Sequence, residues 1–250
     1  LRRELRLFGS ASEVIRALPA GSVVVLYDLE LWWERSPDGL RVVELLVELI
    51  AEHSDHCLFV VEVGASTLRL LESFVPLSAE ALAVIECGPV DAETLKDIVA
   101  LRHSSTGLSY RLDDRDEEEL SEWAKAQLFN AHFNRSDGNI GAALASWIAS
   151  IDAFEDNVLR VRHPAALDDE AMEHIPPPCL AILVQLILHH QLTPERLARI
   201  SGESPLELQA DLARLRRMGL IGRRRRELLE IEPTAHHLVH RSLQSRGLLP

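Results

Sequence analysis

Two carboxylates near the end of an apolar run are the residues of this sequence best suited to chemistry. The run "SVVVLY" covers residues 22–27, Asp28 follows directly, and Glu30 comes two positions later. A carboxylate at the end of a buried strand is a suitable ligand for Mg²⁺, which takes oxygen ligands. Many ordinary strands also end in an acid, so Asp28 is interpreted either as a metal ligand or as a plain loop residue.

Composition limits the class of protein. The chain has 250 residues, 47% of them hydrophobic, which suffices for one large domain or two to three small ones. Its cysteines, Cys57, Cys87 and Cys179, are far apart and lack CxxC spacing, which favours a reducing setting and argues against structural zinc. No signal peptide is visible, and the longest apolar stretch, 179–188, is about half of a bilayer span. We therefore expect a cytoplasmic protein, with no membrane span in this chain.

The charge is unevenly distributed along the chain. The net charge is −13, yet residues 176–250 hold 11 arginines and 7 acidic residues, a net charge of +4. The remaining residues carry a net charge of −17. A basic tail on an acidic body predicts two kinds of surface.

The first third of the chain has the pattern of an α/β protein. Apolar runs of strand length alternate with amphipathic segments of helical length. Such alternation predicts a parallel sheet. The predicted strands are 22–27, 57–63 and 82–87, and the predicted helices are 10–18, 39–54 and 66–74, the first of them capped by Ser10 or Ser12.

Beyond Pro89 the pattern predicts only helices, at 91–103, 116–134 and 139–151, before a short strand or extended linker at 157–164. Six acidic residues lie between Asp113 and Glu119. At the start of the middle helix their negative charge would suit the helix dipole. The alternative is an acidic binding patch.

The pattern of the tail, residues 176–250, predicts a winged helix-turn-helix. Helices are expected at 179–190, 193–202 and 204–219, followed by a two-stranded hairpin at 220–233 and a final helix. Thr193 and Ser204 are suited to cap the second and third of these helices, and Gly202 to end the second.

The order of these elements resembles the second half of an AAA+ or STAND nucleoside-triphosphatase core. In those families the third strand leads into a stretch that opens a helical lid. Here Pro89, Val90, Asp91, Leu95, Ile98 and Val99 match that stretch, and "SDGNIGAAL" at 136–144 is similar to the turn that begins the last lid helix. The resemblance implies a partial parallel-sheet core at 1–89, a helical lid at 90–165 and a winged helix-turn-helix at 166–250.

The resemblance also implies roles for individual residues. Asp28 would be the Walker B aspartate that holds Mg²⁺, and Glu30 would orient the attacking water. If the motif ends in two acidic positions, Tyr27 stands at the metal-linked position and Asp28 at the second. Ser66, Gly138 and Asn139 would face the nucleotide, although Glu62 and Gly64 are also candidates for the polar sensor after the second strand.

The sequence contains no phosphate-binding loop of the form G-x-x-x-x-G-K-S/T. It begins "LRRELRLF" without a methionine, so we expect the loop to lie upstream in a longer protein. ATP and Mg²⁺ are the expected cofactors of that intact protein. No cofactor is expected in this chain alone, which should neither bind ATP tightly nor hydrolyse it.

Arginines in the tail suggest a second function. Arg214 and Arg217 lie on the predicted exposed side of the long helix, where arginine contacts DNA phosphates. Glu207 and Asp211 share the face of Arg214 and would repel phosphate. The wing would add Arg223, Arg224, Arg225 and Arg226.

Three functions therefore remain open. The chain is interpreted as part of a nucleotide-dependent switch or regulatory ATPase, as a DNA-binding winged-helix regulator, or as a protein-interaction scaffold with a degenerate core. DNA, protein partners and self-association are the corresponding interactions. A nucleotide switch requires the lid and the tail to pack on the core, so we expect Trp147 to be buried and the helix at 179–190 to contact the lid.

Overall fold

A computed structural model describes residues 10–36, 38–164, 169–224 and 227–250. The buried apolar side chains form three clusters, which follow one another along the sequence. The chain is a mixed α/β structure in which parallel strand pairing occurs in two separate sheets.

The first cluster surrounds a two-stranded parallel sheet. Strand β1 (Ser22–Leu26) pairs with β2 (Cys57–Val61) in a continuous register from Ser22↔Cys57 to Leu26↔Val61. The buried side chains are Leu29, Trp33, Val43, Leu46 and Leu71. The helices of this region are α1 (Ala11–Arg16), α2 (Arg41–His53), α3 (Ala65–Glu72) and α4 (Leu77–Glu80).

The third predicted strand, 82–87, is absent from the structure. The segment has no strand pairing, and its apolar side chains face solvent, with Leu82 96% exposed and Ile85 85% exposed. The apolar run is typical of a strand, but a strand forms only where a neighbouring strand offers hydrogen bonds. None of the described residues provides that neighbour.

The middle region is not purely helical, contrary to the prediction. Helices α5 (Ala92–Ser104), α6 (Glu122–Ser136) and α7 (Ile140–Ala149) pack with a four-stranded mixed sheet in the order β4-β3-β6-β5. Only β3 and β6 in this sheet run parallel. The strands are β3 (Ser109–Leu112), β4 (Arg115–Asp116), β5 (Ile151–Glu155) and β6 (Val158–Val161).

The acidic run lies before the middle helix rather than in its first turn. Asp113 and Asp114 have positive φ angles of 51° and 63° and form the tight turn between β3 and β4, a conformation that Asp tolerates better than most residues. Helix α6 begins only at Glu122, because Ser121 caps it by accepting a hydrogen bond from the backbone N–H of Ala124.

Trp147 is buried, as predicted, with 5% of its surface exposed. Four other rings surround it at centroid distances of 5.4 to 5.9 Å. Its indole therefore organises the second cluster, in which helices and sheet meet. The surrounding rings are those of His103, Tyr110, Phe129 and His132.

The tail forms the third cluster. Its helices are α8 (Asp169–Glu173), α9 (Pro177–His189), α10 (Pro194–Ser201), α11 (Pro205–Arg217) and α12 (His236–Ser245). Strands β7 (Gln191–Leu192), β8 (Ile221–Arg223) and β9 (Leu229–Ile231) form an antiparallel sheet in the order β7-β9-β8. Thr193 and Ser204 cap α10 and α11, and Gly202 ends α10 in a left-handed conformation, as predicted.

Outside the tail, the main contacts of α9 are with the core rather than with the predicted lid. Besides its packing within the tail, α9 packs on α3 and on the 3-10 helix Leu29–Leu31, next to β1. The lid helices α6 and α7 are instead contacted by the 3-10 helix Pro233–Ala235, and α6 also by α12. The tail thus packs on the core through one end and on the lid through the other.

Within the described part of the chain, no helix is both long and apolar enough to cross a membrane.

Candidate cation site at the carboxyl ends of the parallel strands

Asp28 stands at the carboxyl end of β1 in a left-handed backbone conformation, with φ 50° and ψ 57°. Such a conformation costs a non-glycine residue roughly 1–2 kcal/mol, and the surrounding structure must hold it. Here the backbone hydrogen bonds from Glu62 N to Leu26 O (2.8 Å) and from Leu29 N to Glu62 O (3.0 Å) fix both sides of the residue. The half-buried carboxylate is thereby directed to the end of the sheet.

Glu30 is buried, with 8% of its surface exposed, and lies in the 3-10 helix that follows Asp28. Its carboxylate accepts a hydrogen bond from the backbone N–H of Gly64, which follows the end of β2, at 3.2 Å. Burial raises the pKa of the Glu30 carboxyl, but His190 and the Gly64 N–H outweigh that effect, so the pKa lies below its usual value. Glu30 is therefore ionised at neutral pH.

His190 is the third member of the site, and it comes from the tail. It directly follows α9 and has a positive φ of 58°. Its Nδ1 lies 3.9 Å from Oε1 of Glu30. The Glu30 carboxylate raises the pKa of His190, against the opposing effect of burial, with smaller contributions from Asp28 and Glu230.

The preceding residue explains why His190 reaches this position. His189 is fully buried, and its ring lies 4.7 Å from that of Trp33. Burial lowers the pKa of His189 to about 4, so it packs as a neutral ring. The next side chain must then leave the core at the end of the helix. That point lies at the carboxyl ends of β1 and β2, which are called the sheet edge below.

Together these residues offer one ligand atom each from Asp28, Glu30 and His190, and all three atoms lie within 4.8 Å of one another. Two carboxylate oxygens and an imidazole nitrogen can hold a divalent cation. The side chain of Tyr27, the alternative metal-linked position, is 62% exposed. Sequence reasoning found the two carboxylates but missed His190, because only the fold brings residues 30 and 190 together.

Ser66 is buried beneath the tail. Its Oγ lies 3.1 Å from Nε2 of His240 on α12. The next residue, Thr67, donates a hydrogen bond of 2.8 Å to the carbonyl oxygen of Leu188 on α9. The predicted nucleotide-facing serine is therefore engaged by the tail.

The predicted lid turn is well ordered by its own contacts. Gly138 has φ +75°, and a Cβ there would lie 2.3 Å from the carbonyl oxygen of Val90, so only glycine fits. The Asn139 side chain caps α7 by accepting from the N–H of Ala142 at 2.9 Å. The neighbouring Asp137 lies 3.5 Å from Nδ1 of His237 on α12.

Helix α12 therefore bridges two predicted nucleotide-facing elements. His240 contacts Ser66 at the sheet edge, while His237 contacts the lid turn next to Gly138. Burial lowers the pKa of His236, on the same helix, to about 4, and its ring stacks on that of His240 at a centroid distance of 6.1 Å. In this arrangement the helix covers the region between the sheet edge and the lid turn.

The predicted nucleic-acid contacts divide into two groups. Arg214 and Arg217 are exposed on α11. Arg223 lies 2.5 Å from Glu227, and Arg224 is ion-paired with Glu230, so both wing arginines are engaged with acids of the same hairpin. Arg225 and Arg226 lie outside the described residues.

The two acids on α11 also have partners. Glu207 closes a capping box with Ser204 at the start of the helix. Asp211 accepts a hydrogen bond from Sγ of Cys179 at 3.3 Å. The Ser204 hydrogen bonds lower the pKa of Glu207, so these contacts leave its negative charge in place near Arg214.

No family model matches the chain, and no curated protein sequence matches it. Similar solved structures include two point variants of RuvB from Thermotoga maritima, at 17% and 16% identity with TM-scores of 0.36 and 0.37. Another is the ORC2 protein of Aeropyrum pernix in its ADPNP and ADP complexes, at 14% identity and a TM-score of 0.40. The alignments cover 91%, 91% and 98% of this chain and 73%, 72% and 74% of those chains. Similarity at this level does not by itself establish a common fold, so the proposals below rest on this chain's own residues.

Proposed function

We propose that this chain is part of a nucleotide-dependent switch or regulatory ATPase of the AAA+ or STAND type. Its parts are a core at 1–89, a lid at 90–165 and a winged helix at 166–250. The observation that carries the proposal is the position of Asp28 and Glu30. Both carboxylates follow β1, where the carboxyl ends of the parallel strands β1 and β2 meet, and open α/β sheets bind their ligands at such ends.

The carboxylates of Asp28 and Glu30 fit a divalent cation such as Mg²⁺. Asp28 is half-buried and Glu30 is buried and ionised, so both oxygen ligands are present before any ion arrives. A bound Mg²⁺ would supply positive charge for phosphate oxygens. Glu30, held by the Gly64 N–H, keeps its carboxylate in a fixed orientation beside that charge.

The same residues do not form a phosphate cradle. The sequence lacks a glycine-rich phosphate loop, and α12 covers the region between Ser66 and the lid turn. Nucleotide access to Ser66 would require His240 to leave it, and the tail would move with α12. Movement of the tail away from the sheet edge is therefore the conformational change in the proposed switch.

One face of the β1–β2 sheet supports a larger core. Val23 and Val25 of β1 and their register partners Leu58 and Val60 of β2 are 40–59% exposed. Neighbouring apolar side chains of this kind mark a surface that is normally covered. In the proposed ATPase, helices of a larger core would cover this face, and further strands would pair with 82–87.

The first prediction concerns this chain alone. We expect no binding of Mg-ATP at micromolar concentration, because the sequence contains no phosphate-binding loop. Calorimetric titration of the 250-residue chain with Mg-ATP measures this directly. Micromolar affinity for Mg-ATP would contradict the prediction that this chain has no phosphate-binding site of its own.

Binding to nucleic acid is a second candidate function, supported by the exposure of Arg214 and Arg217 on the long helix of the winged-helix arrangement. These arginines can contact phosphates, and such contacts would have to outweigh the repulsion from the nearby carboxylates of Glu207 and Asp211. The wing arginines Arg223 and Arg224 would first have to leave Glu227 and Glu230. If the tail contacts protein instead, it should not bind DNA even at low salt.

The second prediction tests these two arginines. We expect the double variant Arg214→Ala and Arg217→Ala to weaken DNA binding for all sequences and to reduce the slope of log K against log salt by about 2 units, since each phosphate contact contributes about 0.9. Fluorescence anisotropy over a series of salt concentrations measures both quantities. Arg102→Ala, on the exposed surface of α5, is the matched control and should change neither. An unchanged slope in the double variant would exclude α11 as the contact surface.

A further inference from the structure

The cluster at the sheet edge contains a ligand that a magnesium site does not need. Asp28 and Glu30 come from the core, whereas His190 comes from the end of α9 in the tail. We propose that these three side chains form a site for a divalent transition-metal ion, such as Zn²⁺, that joins the tail to the sheet edge. The site shares its carboxylates with the proposed Mg²⁺ site, but it requires no nucleotide.

The donor set selects the ion. Mg²⁺ prefers carboxylate, carbonyl and water oxygens, while imidazole nitrogen suits Zn²⁺ and other later first-row ions. Zinc binds nitrogen and oxygen at about 2.0–2.2 Å, so two ligands in a tetrahedral site lie about 3.4 Å apart. The observed separation between Nδ1 of His190 and Oε1 of Glu30 is 3.9 Å, which a small rotation of either side chain would close.

The surroundings of the ligands hold them in place. The Gly64 N–H fixes the Glu30 carboxylate, as hydrogen-bond partners of metal ligands do in metal sites. Asp28 and His190 both have positive φ angles, of 50° and 58°, and only Asp28 lies in the left-handed region. Backbone conformations of this cost persist where the surrounding structure imposes them, often at functional positions.

The location gives the ion a specific consequence. A metal ion bound by all three ligands would hold the end of α9 against β1, together with the contacts that Thr67 and Trp33 already make with the same part of the tail. Since His190 leaves the cluster if the tail moves, a transition-metal ion would favour the covered arrangement of the sheet edge. Mg²⁺ would have no such preference, because it does not need the imidazole.

Two other groups could bind zinc and must be separated from this site. His236 and His240 stack on each other on α12, and Cys87 is an exposed thiol. All measurements therefore use the 250-residue chain with Cys87→Ser. The His240→Asn variant reports on the stacked pair.

The decisive variant is His190→Asn. Asparagine removes the imidazole and keeps a polar side chain at this position, and the folding of the variant is measured directly. His174→Asn is the matched control, because His174 is exposed and its Nδ1 contacts only the carbonyl of Glu170. Glu30→Gln is a second, independent variant that removes a ligand charge while keeping its shape.

We expect calorimetric titration of the metal-free chain to show one bound Zn²⁺ and a rise in the melting temperature. His190→Asn and Glu30→Gln should each weaken zinc binding at least about ten-fold, since even partners of metal ligands contribute that much. His174→Asn and His240→Asn should bind zinc as the parent does, and the affinity for Mg²⁺ should be the same with and without His190.

Circular dichroism of each metal-free variant verifies folding. Equal zinc affinity in the parent and in folded His190→Asn would overturn the proposal, as would the absence of zinc binding by the parent. A loss confined to His240→Asn would place the ion on α12 and would also overturn it. Failure of the chain to bind nucleotide leaves the proposal intact, so the two conclusions are tested separately.

Discussion

Trp147→Ala is expected to lower the free energy of unfolding by about 3–5 kcal/mol, the range for removal of a buried aromatic side chain. The indole is 5% exposed and lies among His103, Tyr110, Phe129 and His132. Alanine would leave a cavity between helices α6 and α7 and the mixed sheet, and those elements cannot close around it without losing their own contacts. Urea unfolding at neutral pH measures the loss.

The chain offers a matched control for this substitution. Trp123 lies on α6 of the same region but is 70% exposed, so Trp123→Ala should change the free energy of unfolding by less than about 0.5 kcal/mol. Equal destabilisation by the two variants would mean that Trp147 does not organise the second apolar cluster.

Burial of Trp147 was predictable because it depends on local pattern. Apolar residues recur at helical spacing around it, and a face that wide must be covered by something. The same holds for the caps Ser10, Thr193 and Ser204, whose side chains accept hydrogen bonds from residues three positions later. Interactions over three or four residues are visible in the sequence itself.

The mixed sheet of the lid was not predictable in the same way. Strand β3 has four residues, and β4 has two. Such short segments carry too few residues to show a period of two, and β3 finds its parallel partner β6 only across two helices. The segment 82–87 shows the converse, since its pattern is typical of a strand but its pairing depends on a neighbour that the described residues do not contain.

The residues of the candidate site also differ in whether the local sequence reveals them. Asp28 and Glu30 were found because they follow an apolar strand directly, which is a local signal. His190 joins them across 160 residues of sequence, and the pairing of the wing arginines with Glu227 and Glu230 depends on the hairpin register. Only the packing of the tail on the core makes these relations visible.

Coverage of the sheet edge by α12 connects the fold to the proposed switch. The contacts of His240 with Ser66 and of His237 with Asp137 are two polar links, one of them to a surface residue that is 65% exposed. Such links are individually worth little against the hydrophobic packing of the tail. A ligand that competes for Ser66 would therefore have to overcome mainly the packing of α9 on α3 and of α12 on α6.

If a longer form of the protein contains a phosphate-binding loop, Asp28→Asn is expected to abolish its nucleotide hydrolysis. Asparagine has the shape of aspartate and tolerates the left-handed backbone at this position, so the substitution removes the charge without straining the fold. Loss of a ligand charge at the cation should lower turnover by about a hundred-fold or more, comparable to the loss of one preorganised group at a transition state. Phosphate release under saturating Mg-ATP measures turnover.

Asp38→Asn is the control for this variant, because Asp38 is an exposed acid in the loop before α2 and lies outside the cluster. It should keep the turnover of the parent, while Asp28→Asn should keep the parent's melting temperature to show that it is folded. Full turnover in folded Asp28→Asn would mean that the residue only ends the strand. An extended protein without any phosphate-binding loop would remove the ATPase proposal altogether, and the carboxylates of Asp28 and Glu30 would then be explained by the transition-metal site that they share with His190.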